Sequence, residues 1–120
     1  MKNEKLLQAL GLCAKAGKLI VGVPLICEAL KAGGGKRGRV CLVLAASDNS
    51  ENTAKRLRDR CAYYGVPLEM PEVDGGRLSD ALGKQSRVAA VAVTDENLCR
   101  LVTGALERGR AKDPDAPQGA

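Results

Sequence analysis

The sequence predicts a three-layer α/β/α sandwich around a small mixed central sheet, and three observations carry that expectation. Two runs, "VCLVLAA" (Val40 to Ala46) and "VAAVAV" (Val88 to Val93), are apolar without alternation, the pattern of a strand covered on both faces. Segments with apolar residues at helical spacing flank them, so helix and strand alternate along the chain. The length of 120 residues, with 45% hydrophobic and 28% charged, suits one compact core. No internal repeat or low-complexity block competes with this reading.

Taken in order, Leu6, Leu7, Leu10, Cys13 and Ala14 recur at helical spacing, which predicts a helix from Asn3 to Ala16 that Gly17 stops. "KLIV" reads as a short strand. After Gly22, Pro24 suits the first turn of a helix, where its missing donor would have been unpaired. Val23, Ile26, Cys27 and Leu30 give that helix its stripe, and the glycines from Gly33 to Gly35 end it. Past the first buried strand, "SDNSEN" offers several capping side chains, Ser47, Asp48 and Asn49 among them. Ala54, Leu57, Cys61 and Tyr64 then mark the buried face of a third helix, and Lys55, Arg56, Arg58 and Arg60 its hydrated face. Gly65 closes it. "VPLEM" is a short strand in which Pro67 is tolerable only near an edge or a start. A fourth helix fits between Gly76 and Gly83. Thr94 or Asp95 caps a last helix with Leu98, Leu101, Val102 and Ala105 on its apolar face. These elements predict a single domain over residues 1–109. From Arg110 the chain is polar and aperiodic, which predicts a disordered tail over 110–120.

Composition narrows the function. The chain contains no histidine, the side chain most used as acid or base near neutral pH and the commonest metal ligand. Tyr63 and Tyr64 are the only aromatics, too few for a base-stacking platform of the single-strand binders. Five cysteines, Cys13, Cys27, Cys41, Cys61 and Cys99, form no C-x-x-C and sit in apolar patterns. They read as core residues in a reducing compartment, with no metal and no cofactor expected. No apolar run is long enough to cross a bilayer and the N-terminus lacks a signal-peptide pattern, so the expected location is the cytoplasm. The net charge of +5 is uneven. Residues 1–39 hold eight positive and two negative groups, +6, and the remaining 81 hold eleven and twelve, −1. A localised basic surface is the footprint of a polyanion partner, although a solvated face is the blander meaning of any one charge run.

"GLCAKAGKLIVG" (Gly11 to Gly22) invites comparison with a phosphate-cradling loop. That loop needs a glycine five residues before Gly17 and a hydroxyl after Lys18, where this chain has Leu12 and Leu19. A nucleotide cradle is excluded on spacing and on chemistry. With no nucleophile elbow and no paired carboxylates on a plausible rim, an enzyme is not expected either. In α/β folds of this kind ligands gather where strands end and helices begin, here Gly22 to Leu25, Ser47 to Ser50 and the loop Gly83 to Val88.

The blocks "LGLCAKAGKLIVG", "ALKAG", "VLAASDNSENTAKRL", "YYGVPL" and "LGKQSRVAAVAVTD" resemble, in this order, the ribosomal L-seven-Ae superfamily in its small bacterial YlxQ-like branch. The resemblance covers about Lys5 to Val102. It implies the same α/β/α sandwich and a partner of structured RNA, typically a kink-turn, in which two stems flank a sharply bent loop with tandem sheared G·A pairs. It also implies a site: the second helix aims its N-terminus at the RNA backbone, with Gly22 allowing close approach and Val23 and Pro24 beside it. Lys15 and Lys18 would supply phosphate charge, and Lys36 and Arg37 would extend it. Ser47 and Asp48 would stand on the rim as caps first and contacts second. Lys84, Gln85, Ser86, Arg87 and Val88 correspond to the family's specificity loop. In the kink-turn binders the turn carries Asn, Glu and Lys that read guanine edges. Here those positions are Pro24, Leu25 and Glu28, and proline and leucine cannot donate to O6 and N7. The expected function is a monomeric, ribosomal-protein-like RNA binder of the translation machinery, near the ribosome or its assembly. The alternative is a protein–protein adaptor that uses Val23, Pro24 and Leu25 as an apolar docking turn.

Overall fold

The two apolar runs form the centre of the sheet. A computed structural model of the chain describes residues 3–33 and 40–111. Its elements are α1 (Glu4–Lys15), β1 (Leu19–Val21), α2 (Val23–Gly33), β2 (Leu42–Ala45), α3 (Glu51–Tyr64), β3 (Leu68–Glu69), α4 (Gly75–Leu82), β4 (Ala90–Val93) and α5 (Glu96–Ala111). The strand order is β1-β4-β2-β3, with β4 antiparallel to both β1 and β2, and β3 parallel to β2. The sheet is therefore mixed.

Every residue of β2 and β4 is buried because each face of the sheet has its own cover. Side chains alternate across a strand. Leu42, Leu44, Val91 and Val93 pack with Leu6, Leu10, Leu78 and Val102 from α1, α4 and α5. Val43, Ala45, Ala90 and Ala92 pack with Ile26, Leu30, Leu57 and Cys61 from α2 and α3. The three layers follow from that division. Pro67 lies just before the edge strand β3, where its missing amide does no harm and its carbonyl accepts from the Val43 amide at 3.0 Å.

Helix ends follow the local chemistry. Ser50 caps α3 through the Thr53 amide at 3.2 Å, Asp74 caps α4 through Arg77 at 2.8 Å, and Asp95 caps α5 through Leu98 at 3.0 Å. Gly65 and Gly83 close α3 and α4 with φ of 70° and 68°, a left-handed conformation that favours glycine.

Several expectations need correction. The cap of α3 is Ser50, not Ser47, Asp48 or Asn49. Leu101 is 43% exposed and Leu106 takes the buried place, because the α5 face toward α1 runs Leu98, Val102, Ala105, Leu106 and leaves Leu101 at its outer margin. Ala14 is likewise exposed at the last turn of α1. Helix α5 continues through Arg110 to Ala111, and the rest of the expected tail lies outside the described residues, as do Gly34 and Gly35.

Of the five cysteines, all free thiols, Cys13 and Cys61 are buried while Cys27, Cys41 and Cys99 are half-buried. Burial, with a smaller contribution from Cys27, pushes the Cys61 thiol up to about 11. Burial first and Asp95 second also raise Cys13. At pH 8 a thiol with that constant is thiolate in only about one molecule in a thousand. Both residues are also shut away from solvent, so iodoacetamide will leave Cys61 and Cys13 unlabelled in the native chain and modify them on denaturation, as peptide mass spectrometry will report.

Candidate functional site

Strand polarity decides which loops meet. Since β1 and β2 both run antiparallel to β4, their C-terminal ends share one rim with the start of β4. The Gly22 amide donates to the Ala90 carbonyl at 3.0 Å, and the Ala46 amide to the Ala89 carbonyl at 2.9 Å. The turns into α2 and α3 and the loop before β4 consequently stand side by side. The N-terminus of α4 joins them, because the Ser47 amide donates to the Val73 carbonyl at 2.9 Å and the Val88 amide to the Gly75 carbonyl at 3.1 Å.

The turn into α2 differs from the other helix starts on this rim. Gly22 has φ of 104°, and a Cβ built on it would meet nothing within 4 Å, so the backbone there faces open space. Its carbonyl accepts the first helical bond, from Ile26 at 3.0 Å, which makes Gly22 the capping residue without a capping side chain. No acidic residue lies in the first turn. The positive end of the α2 dipole is thus bare where α3 carries Ser50 and Glu51 and α4 carries Asp74. Pro24 removes one first-turn donor, and Val23 and Leu25 keep theirs. Leu25 is 57% exposed, Pro24 and Glu28 are exposed, and Val23 is half-buried.

Opposite this turn the loop Gly83–Arg87 is pinned at both ends. At its start the buried Ser79 hydroxyl donates to the Lys84 carbonyl at 2.7 Å while the Lys84 amide donates to the Ser79 carbonyl at 2.9 Å. At its end Arg87 Nη2 donates to Asp48 Oδ1 at 2.7 Å and to Asn49 Oδ1 at 2.9 Å, and Nε reaches Asp48 Oδ2 at 3.4 Å. Asp48 Oδ1 also accepts from the Gly75 amide at 3.0 Å, and Asn49 Nδ2 donates to the Ala89 carbonyl at 2.9 Å. The Arg87 bond, followed by the Gly75 amide, holds the Asp48 carboxyl below its ordinary range, and Asp48 in turn raises Arg87. Gly75 has to be glycine: a Cβ there would overlap Arg87 Cγ and come within 2.9 Å of the Val88 carbonyl.

The structure thus divides the expected site residues. Gly22, Val23, Pro24, Lys84, Gln85 and Ser86 share the rim with exposed Ser47, and the last three loop residues are exposed. Asp48 and Arg87 are there too, but they bind each other. Val88 is 3% exposed and belongs to the core, since it already leads into the buried strand β4. Lys15 and Lys18 are exposed at the other end of the sheet, where the Lys18 carbonyl accepts from Thr94 at 3.0 Å. Four residues of extended chain separate Lys18 from Gly22 by about 13 Å. Lys36 and Arg37 lie outside the described residues. Sequence reasoning missed Gly75 and Ser79, for neither carries a signal until the chain is folded. Among the described residues no group of three or more His, Cys, Asp or Glu could hold a metal ion, and no helix is long and apolar enough to cross a membrane.

Residues 4–103 match the model of the ribosomal protein L7Ae/L30e/S12e/Gadd45 family. The chain belongs to that family. Among its relatives, the RNA-binding protein YlxQ of Bacillus subtilis (strain 168) is 36% identical over 98 residues, 82% of this chain and 91% of that protein. The RNA-binding protein YlxQ of Enterococcus faecium is 38% identical over 89 residues, 74% of this chain and 81% of that protein. Among solved structures, a protein of unknown function from Bacillus halodurans C aligns with a TM-score of 0.74 at 31% identity, covering 86% of this chain and 97% of that one. The Giardia lamblia 15.5kD RNA binding protein aligns with a TM-score of 0.66 at 22% identity, covering 89% and 86%, a likeness of fold. The L7Ae-type sandwich expected from the sequence blocks is therefore the fold and the family of this chain.

Proposed function

We propose that this chain is a non-enzymatic, monomeric RNA-binding protein of the cytoplasm that docks bent, structured RNA of the kink-turn kind on the rim formed by Gly22–Leu25 and Lys84–Ser86, within the translation machinery. The bare α2 N-terminus carries this reading: it is a positive helix end with an unobstructed glycine backbone, set beside an exposed lysine loop, in a family whose curated relatives are named for RNA binding. Phosphate oxygens suit the Val23 and Leu25 amides, and Lys84 suits a neighbouring phosphate. Pro24 and Leu25 leave no side-chain donor for a guanine edge, so selection among RNAs rests on backbone and shape.

A gel shift with a labelled kink-turn RNA, and with the same RNA carrying disrupted G·A pairs, tests this at low and physiological salt. The expected result is salt-sensitive binding of both with a preference for the intact bend. Lys84→Ala should lower the log–log salt slope by about 0.7 to 0.9, the loss of one neutralised phosphate. Equal binding of the two RNAs would remove kink-turn selectivity, and no binding of either would remove the RNA reading. The adaptor reading draws on one observation, the 57% exposure of Leu25 next to Pro24 and Val23. An apolar partner docked there would hold its affinity as salt is raised.

A further inference from the structure

A cation on a surface that meets RNA is ordinarily taken as a phosphate contact. Arg87 has the opposite surroundings. Its guanidinium is matched to the Asp48 carboxylate through two nitrogens, adds the Asn49 carbonyl, and lies over Gly75, where any side chain would displace it. The bonding geometry uses the planar fork, which lysine lacks. Asp48 and Asn49 are themselves tied down, to the Gly75 amide and to the Ala89 carbonyl. With Ser79 holding Lys84 at the other end, the loop is a short arch whose feet are fixed and whose crown is Gln85 and Ser86.

We propose that Arg87 is a positioning residue: clamped by Asp48 and Asn49 over Gly75, it fixes the arch so that Lys84, Gln85 and Ser86 face the α2 N-terminus, while its own charge is taken up by the half-exposed ion pair with Asp48 and contacts no phosphate. This inference rests on the RNA reading above and specifies how that site is assembled. It has two consequences that a phosphate contact would not share. Loss of Arg87 must loosen the loop in the free chain. It must also weaken RNA binding without changing the number of phosphates neutralised, and so without changing the salt slope.

The test uses the full chain, its Arg87→Met, Arg87→Lys and Gly75→Ala variants, and the labelled kink-turn RNA. Amide hydrogen exchange of the free chain reads the Val88 amide, which bonds the Gly75 carbonyl at 3.1 Å, against the β4 amides of Val91 to Val93 as a control for folding. The clamp predicts faster exchange at Val88 in all three variants with the β4 amides unchanged. It also predicts RNA binding about ten-fold weaker at every salt concentration, the cost of ordering one or two loop residues on binding. The salt slope stays that of the parent, and Arg87→Lys fails to rescue because charge alone does not restore the fork. Unchanged Val88 exchange in Arg87→Met overturns the clamp. So does a slope reduced by as much as in Lys84→Ala, or full affinity in Arg87→Lys, since both are marks of a direct phosphate contact. If the parent chain binds neither RNA, the RNA reading falls, and the exchange measurement alone still decides whether Arg87 holds the arch.

Discussion

Gly22→Val is expected to abolish tight RNA binding and to destabilise the chain by about 1–3 kcal/mol, the usual cost of forcing a side chain into such a backbone conformation. Gly22 has φ of 104° with no atom within 4 Å of its would-be Cβ. The penalty to folding is therefore backbone strain, and no clash contributes. The penalty to binding is separate. In the proposed docking the RNA backbone approaches the α2 amides through this same open space, and a branched side chain fills it. Thermal unfolding gives the first effect and the gel shift the second. A folded Gly22→Val chain with undiminished affinity would move the site away from this turn.

Leu10→Ala carries the largest expected effect on stability, about 3 kcal/mol within the usual range of about 2–5 for a buried leucine. Leu10 is fully buried where α1 meets the sheet, α4 and α5, so truncation leaves a cavity that these elements cannot collapse around together. A fall in Tm on the order of 10 °C follows for a domain of this size. Leu101→Ala is the contrast, with a change within about 0.5 kcal/mol because the side chain is at the exposed margin of α5. Equal effects at the two positions would contradict the packing of α5 on α1.

Those two leucines mark how far the sequence could be read. The double-sided apolar runs identified the central strands, and alternation of Val and Ala along "AVAV" reflects the two cores they serve. The cap at Asp95 and the closing glycines Gly65 and Gly83 act within a few residues, so their chemistry is visible locally, whereas "SDNSEN" offers several capping side chains and only the fold selects Ser50. The choice between Leu101 and Leu106 is not local, because the angle at which α5 meets α1 decides which side of a broad stripe is covered.

The site was less legible for the same reason. Lys18 and Gly22 are close in sequence, yet a strand lies between them and sends them to opposite ends of the sheet. Asp48 and Arg87 are 39 residues apart and each looks like a free charge until the rim brings them to 2.7 Å. The family resemblance points to the α2 turn and the loop before β4, but the departures at Pro24 and Leu25, and the pairing of Arg87 with Asp48, change which groups the proposed site offers a partner.

Chemical-shift mapping on the isotope-labelled chain, titrated with the kink-turn RNA, tests the central claim most directly. The account predicts saturable shifts at the amides of Gly22, Val23, Leu25, Lys84, Gln85 and Ser86, with Lys15 and Lys18 at the far end of the sheet unmoved. Saturable shifts concentrated at Lys15 and Lys18, with the rim silent, would contradict it.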